Sequence, residues 1–132
     1  MDAPHLPDAV ARAYAGALHA VALADRALSG SESTRLDRLL ERRCPGVDRE
    51  DLFFDRITPE AFAAAVRAHA AADRVAIGLA FVADAVELGT VDGELSSAEA
   101  YAILRVARCF GLTLTEVGGV TNALDEWLGS LA

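Results

Sequence analysis

Residues 75–88 read Val-Ala-Ile-Gly-Leu-Ala-Phe-Val-Ala-Asp-Ala-Val-Glu-Leu, and this stretch decides the fold. On a helix running from about Asp73 to Leu88, the side chains of Val75, Ile77, Leu79, Phe81, Val82 and Val86 cover most of the circumference. A helix that is apolar nearly all round is a central one, wrapped by others. Its longest apolar run, Val75 to Ala83, is bounded by Arg74 and Asp84. That is far short of the roughly 20 residues that span a bilayer.

The segments on either side supply the wrapping. Downstream, Ala100, Ile103, Leu104 and Ala107 mark one helix, ended by Phe110-Gly111-Leu112 as a glycine C-cap with its hydrophobic contact. A last helix carries Leu114, Val117, Val120, Leu124 and Leu128, and Gly118-Gly119 weakens its first half. Upstream, Thr58-Pro59-Glu60 is a helix start, with threonine as cap and proline at the first helical position. Phe62 and Val66 anchor that helix, and no strong breaker separates it from the central one near Ala70–Asp73.

Asp48 is placed to cap a short helical turn holding Leu52, Phe53 and Phe54. Before it, Leu36, Leu39 and Leu40 form the inward row of a helix stopped by Cys44-Pro45-Gly46. The first helix runs from Pro7-Asp8 to about Ala24, with Val10, Tyr14, Leu18 and Val21 on one apolar face. No segment alternates with period two for long enough to make a sheet. The expectation is one all-α domain over residues 1–132, a compact bundle of about six or seven helices.

Composition narrows function mainly by exclusion. Hydrophobic residues make up 53% of the chain and aromatics only 6%, an alanine-rich balance that suits closely packed helices. The net charge is −8 and all twelve basic residues are arginine, so DNA, RNA and anionic lipid would be repelled. The only adjacent basic pair, Arg42-Arg43, lies at a helix end where cations suit the dipole. Cys44 and Cys109 belong to no metal or redox motif and read as inert thiols. His5, His19 and His69 have no metal spacing between them. With no basic, apolar leader at the amino terminus, a cytoplasmic location is expected.

Two segments repeat. Asp25-Arg26-Ala27-Leu28-Ser29-Gly30-Ser31-Glu32 and Asp92-Gly93-Glu94-Leu95-Ser96-Ser97-Ala98-Glu99 share Asp, Leu, Ser and Glu at a separation of 67 positions. Each follows an apolar helix and opens another, which favours internal duplication. Two readings of the motif stand side by side. Ser29 with Glu32, and Ser96 with Glu99, fit the Ser-x-x-Glu capping box, with Leu28 and Leu95 as staples. Alternatively, carboxylates from a tight turn and the next helix are the hard oxygen ligands that calcium or magnesium takes. The pattern overlaps half of an EF-hand loop but does not fit a standard one. With Glu99 as its twelfth position, Leu88 and Thr90 fall at the first and third, and leucine cannot ligate. Asp84 and Glu87, on the helix before the second copy, add to its acidic surroundings.

The second copy, set between an apolar helix and a helix ending in Phe110-Gly111-Leu112, resembles the tellurite-resistance TerB-like domains. The likeness covers about Pro7 to Leu128. It implies a stress-response domain with a pseudo-twofold duplication, repeat one about 8–57 and repeat two about 73–130. It also implies a divalent metal ion (Ca, Mg, Mn or Zn), held by Asp92, Glu94 and Glu99 in the second copy and by Asp25 and Glu32 in the first. Membrane-associated protein partners are implied as well. The first copy departs from the pattern, with Arg26-Ala27 in place of Gly93-Glu94. That puts a cation beside Asp25 and removes the residue best suited to positive φ.

Three functions follow from different classes. One is a non-enzymatic, metal-responsive TerB-like protein. Another is an interaction module of the same fold whose motifs only cap helices. The third is an enzyme or small-molecule binder, which would need a concave pocket with convergent polar groups. No G-x-S-x-G, P-loop or G-x-G-x-x-G motif supports the third.

Overall fold

A computed structural model describes residues 6–24, 28–47, 57–91, 93 and 95–120. Among them the chain is all helical, with six α-helices joined by short connections. The helices are α1 (Asp8–Ala22), α2 (Gly30–Arg43), α3 (Pro59–His69), α4 (Arg74–Gly89), α5 (Ser97–Cys109) and α6 (Leu114–Gly118). A 3₁₀ turn, Ala71–Asp73, separates α3 from α4.

Local chemistry sets most boundaries. Ala61 N–H donates to Thr58 Oγ1 at 3.0 Å, and Pro59 opens α3 as the sequence predicts. At the end of α5, Gly111 takes φ 71°, and Leu112 N–H returns to Ala107 O at 3.0 Å. The Arg74 guanidinium, from the start of α4, donates to the Phe110 carbonyl and closes the same helix end. Thr113 and Glu116 form a capping box that starts α6 at Leu114, and the helix stops at Gly118. Its expected continuation through Leu124 and Leu128 lies outside the described residues, as does the turn expected at 48–56.

The core is built around two helices rather than one. α4 is wrapped as expected, with Ile77, Phe81, Val82, Ala85 and Val86 buried, though Val75 stays partly exposed. α1 is buried on more than the single face its large residues mark out, because Ala11, Ala13, Ala15, Gly16 and Ala17 are also covered. It packs against α2, α3, α4 and α5. At the centre, the Phe62 ring meets Tyr14, Phe81 and Phe110 at centroid distances of 5.7, 5.0 and 4.8 Å. Phe110 in turn sits over Gly78, where a Cβ would come within 2.9 Å of its ring.

A shift of 67 positions carries Ala22 onto Gly89, Ser29 onto Ser96 and Gly30 onto Ser97, so the end of α1, the cap and the start of α2 fall on those of α4 and α5. The same shift carries Tyr14 onto Phe81, and these two rings touch edge to face at 5.3 Å. Equivalent side chains that touch each other are what a twofold axis between repeats produces.

Candidate functional site

Three helices open with a Ser/Thr-x-x-Glu box, and comparing them separates capping from anything further. At α2, Glu32 N–H donates to Ser29 Oγ at 3.1 Å and Ser29 N–H donates to Glu32 Oε1 at 3.2 Å. At α6, Glu116 N–H donates to Thr113 Oγ1 at 3.1 Å and Thr113 N–H to Glu116 Oε1 at 2.9 Å. At α5, Glu99 N–H donates to Ser96 Oγ at 3.1 Å, but Glu99 Oε1 accepts from the Ser96 hydroxyl at 2.8 Å.

Burial divides the three. Glu116 lies at the surface, and the Thr113 backbone N–H holds its carboxyl below the usual range. Glu32 and Glu99 are 7% and 3% exposed. A capping glutamate has no need of burial, and taking a carboxylate out of water is costly. Glu32 Oε2 is enclosed without a hydrogen-bond partner. Gly89, at the end of α4, makes room for the Glu99 carboxylate. A Cβ there would lie 3.1 Å from Glu99 Oε2 and 2.5 Å from Leu95 Cδ1.

The turns meet at one end of the bundle. Val91 lines the same open hollow, about 340 Å³, as Gly30, Ser31 and Thr34 of α2. Arg35 and Arg38 complete its lining, a setting that suits an anion better than a cation. Gly93 takes φ 128°, a conformation that excludes other residues at low cost and that the Arg26 of the first copy would resist. Of the five expected ligands, Glu32 and Glu99 are placed as matching buried carboxylates. Asp25, Asp92 and Glu94 lie outside the described residues. Among the described residues alone, no three His, Cys, Asp or Glu side chains gather as a metal would need.

Asp84 and Glu87 do not belong to the acidic turn. Asp84 is 2% exposed and accepts from Tyr14 Oη at 2.5 Å, Arg43 Nε at 2.9 Å and Arg42 at 3.2 Å. Glu87 faces Arg42 at 3.8 Å and Arg35 at 3.9 Å. The Arg42-Arg43 pair therefore serves a buried carboxylate on another helix and does more than favour its own helix end. The signal was present in the sequence, since a lone aspartate inside an otherwise apolar helix needs a partner. Beside it, Cys44 is buried and its thiol is pushed up to about 12, first by burial and then by the Asp84 charge. Burial and the raised value both disfavour the thiolate, the reactive form.

A second hollow, about 240 Å³, lies between α1 and α5. It is lined by Ala17, Ala20, Val21, Ala102 and neighbours, with Arg105 as its charged member. Among the described residues no helix is long and apolar enough to cross a membrane.

No family model matches the chain, and neither a curated protein nor a solved structure is significantly similar to it.

Proposed function

We propose that this chain is a non-enzymatic TerB-like stress-response domain that binds a divalent cation through the glutamates of its two acidic turns, Glu32 and Glu99. One observation carries this. Of three Ser/Thr-x-x-Glu boxes, the two within the repeated motif bury their carboxylates, and the third, Glu116, is exposed. Capping accounts for one oxygen of Glu32; the other is enclosed with no donor, which is where a hard cation would compensate it. The helix bounds that coincide at a 67-residue shift support the duplication this reading assumes. On the TerB-like reading, the domain is cytoplasmic, binds no nucleic acid and works beside membrane-associated protein partners.

The test is thermal unfolding of chelator-stripped protein against calcium, magnesium, manganese and zinc. An ion at about 100 times its Kd adds roughly 2.7 kcal/mol, on the order of 10 °C in Tm for a domain this size. The shift should vanish in Glu32→Gln/Glu99→Gln and persist in Glu116→Gln.

A second reading is favoured by the first turn. Its capping box is complete, and Arg35 and Arg38 line the hollow beside it. On that reading the motifs only cap helices in an interaction module, and no ion moves the Tm.

A further inference from the structure

The packing of α5 on α1 repeats that of α2 on α4. At the 67-residue shift the inward rows correspond, Ile103 to Leu36, Val106 to Leu39 and Ala107 to Leu40, and all six residues are buried. The edges of the two junctions differ. Between α2 and α4 the edge is filled with charge, Asp84 and Glu87 facing Arg35, Arg42 and Arg43. Between α1 and α5 the same positions hold Ala17 for Asp84, Ala20 for Glu87 and Ala102 for Arg35. Ala24 and Val106 are likewise smaller than Val91 and Leu39, to which they correspond. All five line the hollow of about 240 Å³, which is space that the other junction fills with side chains. One large residue is kept. Of the four arginines on α2, only Arg38 has an arginine as its counterpart, and this is Arg105, at the same hollow.

We propose that this hollow binds a small organic acid, with its carboxylate on Arg105 and its apolar tail against Ala17, Ala20, Val21 and Val106. The second junction has kept an arginine and lost both acids, and the ligand supplies the missing carboxylate together with the missing volume. Arg105 is able to receive it. Its neighbour Glu60 of α3 stands 3.9 Å away, with both side chains 67% exposed. An exposed pair of that kind is worth little and is readily exchanged. Size sets the class of ligand. An apolar cavity of about 150 Å³ holds benzene, so a hollow of about 240 Å³ takes a ring or a chain of about six to eight carbons. Ile57 and Pro59 extend the apolar lining. Water in such a hollow is poorly held, and an apolar group that displaces it gains affinity. No cation takes part, so the test is run in chelator and is independent of the metal reading.

The native chain is titrated with hexanoate, hexanol, hexylamine and acetate while its amide and methyl resonances are followed by NMR. Hexanoate should give saturable shifts at Ala17, Ala20, Val21, Ala102 and Val106. A Kd of roughly a millimolar is expected for a ligand of about eight non-hydrogen atoms. Hexanol should bind about tenfold more weakly, for want of the charged contact. Acetate, which has the charge without the tail, and hexylamine should leave these signals unmoved. The ranking is informative because a chain of net charge −8 repels anions in general, so a preference for hexanoate reports the local arginine. Arg105→Gln should bring hexanoate down to the level of hexanol. Ala102→Leu, which fills the hollow, should abolish the shifts while the helical circular-dichroism spectrum is retained. The proposal is overturned by the native chain alone if hexanoate gives no saturable shift, if hexylamine binds as tightly, or if the shifts centre on Arg35 and Arg38 instead. Undiminished binding in a folded Ala102→Leu variant would overturn it equally.

Discussion

Tyr14 Oη donates to Asp84 Oδ2 at 2.5 Å across 70 positions of sequence, joining α1 to α4 inside the core. The carboxylate that receives it also holds two arginines of α2, so three helices depend on one aspartate.

Removing one donor or removing the acceptor should therefore differ in cost. Tyr14→Phe leaves Asp84 with its arginines and loses one hydrogen bond, for about 1–3 kcal/mol. Asp84→Ala removes the carboxylate that Arg43 faces, with the arginine side chain only 9% exposed, and should cost about 3–5 kcal/mol. Urea unfolding of both variants at neutral pH gives the comparison.

Alkaline pH should weaken the fold. Burial, then the Asp84 charge, raises the Tyr14 phenol well above its ordinary 10, and the Cys44 thiol rises from 9.0 to about 12 for the same reasons. Both groups keep their protons when folded and lose them when unfolded. Their contribution is thus complete below about pH 9 and is lost as pH rises toward their folded values. Stability measured from pH 8 to 11 should fall, with a slope of up to about 1.4 kcal/mol per pH unit for each proton. Cys44→Ala should make that fall shallower at its lower end.

Two glycines should resist alanine for different reasons. Gly78→Ala drives a methyl to 2.9 Å from the buried Phe110 ring. Overpacking of that kind costs about 1–3 kcal/mol, against a helix-propensity gain of about 1 kcal/mol. Gly93→Ala meets open space but a φ of 128°, so its cost of about 1–3 kcal/mol is backbone strain. Thermal unfolding should show both as destabilised, and crystal structures should show a shifted ring only for Gly78→Ala.

Phe62 touches the other three central rings, so Phe62→Ala should be among the worst single changes in the core. The expected loss is about 3–5 kcal/mol, read as a lower urea midpoint with a retained helical spectrum.

Helix positions were legible wherever a cap or breaker spoke for them. Thr58-Pro59, Ser96-x-x-Glu99 and Phe110-Gly111-Leu112 each mark a boundary by local chemistry, and the structure puts boundaries there. The burial of α1 was less legible, because alanine and glycine carry little apolar signal even when a helix is enclosed by four others. The break between α3 and α4 had no local cause in the sequence and appears as a 3₁₀ turn of alanines and Asp73. As for the site, the Ser-x-x-Glu spacing announced the caps but could not tell buried glutamates from the exposed Glu116. For Glu99 that difference goes with Gly89 of α4, whose missing side chain leaves room for the carboxylate, a tertiary fact. The Asp84 network joins residues from three helices, and no spacing rule connects them.

The enclosure of α1 also bears on how the molecule is made. Eleven of its fifteen residues are buried, against helices that end as late as Cys109. A ribosome adds roughly 5–20 residues per second, so α1 leaves the exit tunnel on the order of ten seconds before its last partner is complete. During that interval Val10, Tyr14, Leu18 and Val21 of the nascent chain lack the helices that bury them in the finished fold. α1 is made before every helix that covers it and is among the last to be satisfied. Chains terminated before Gly89 should accumulate as protease-sensitive, aggregation-prone fragments rather than as half-domains.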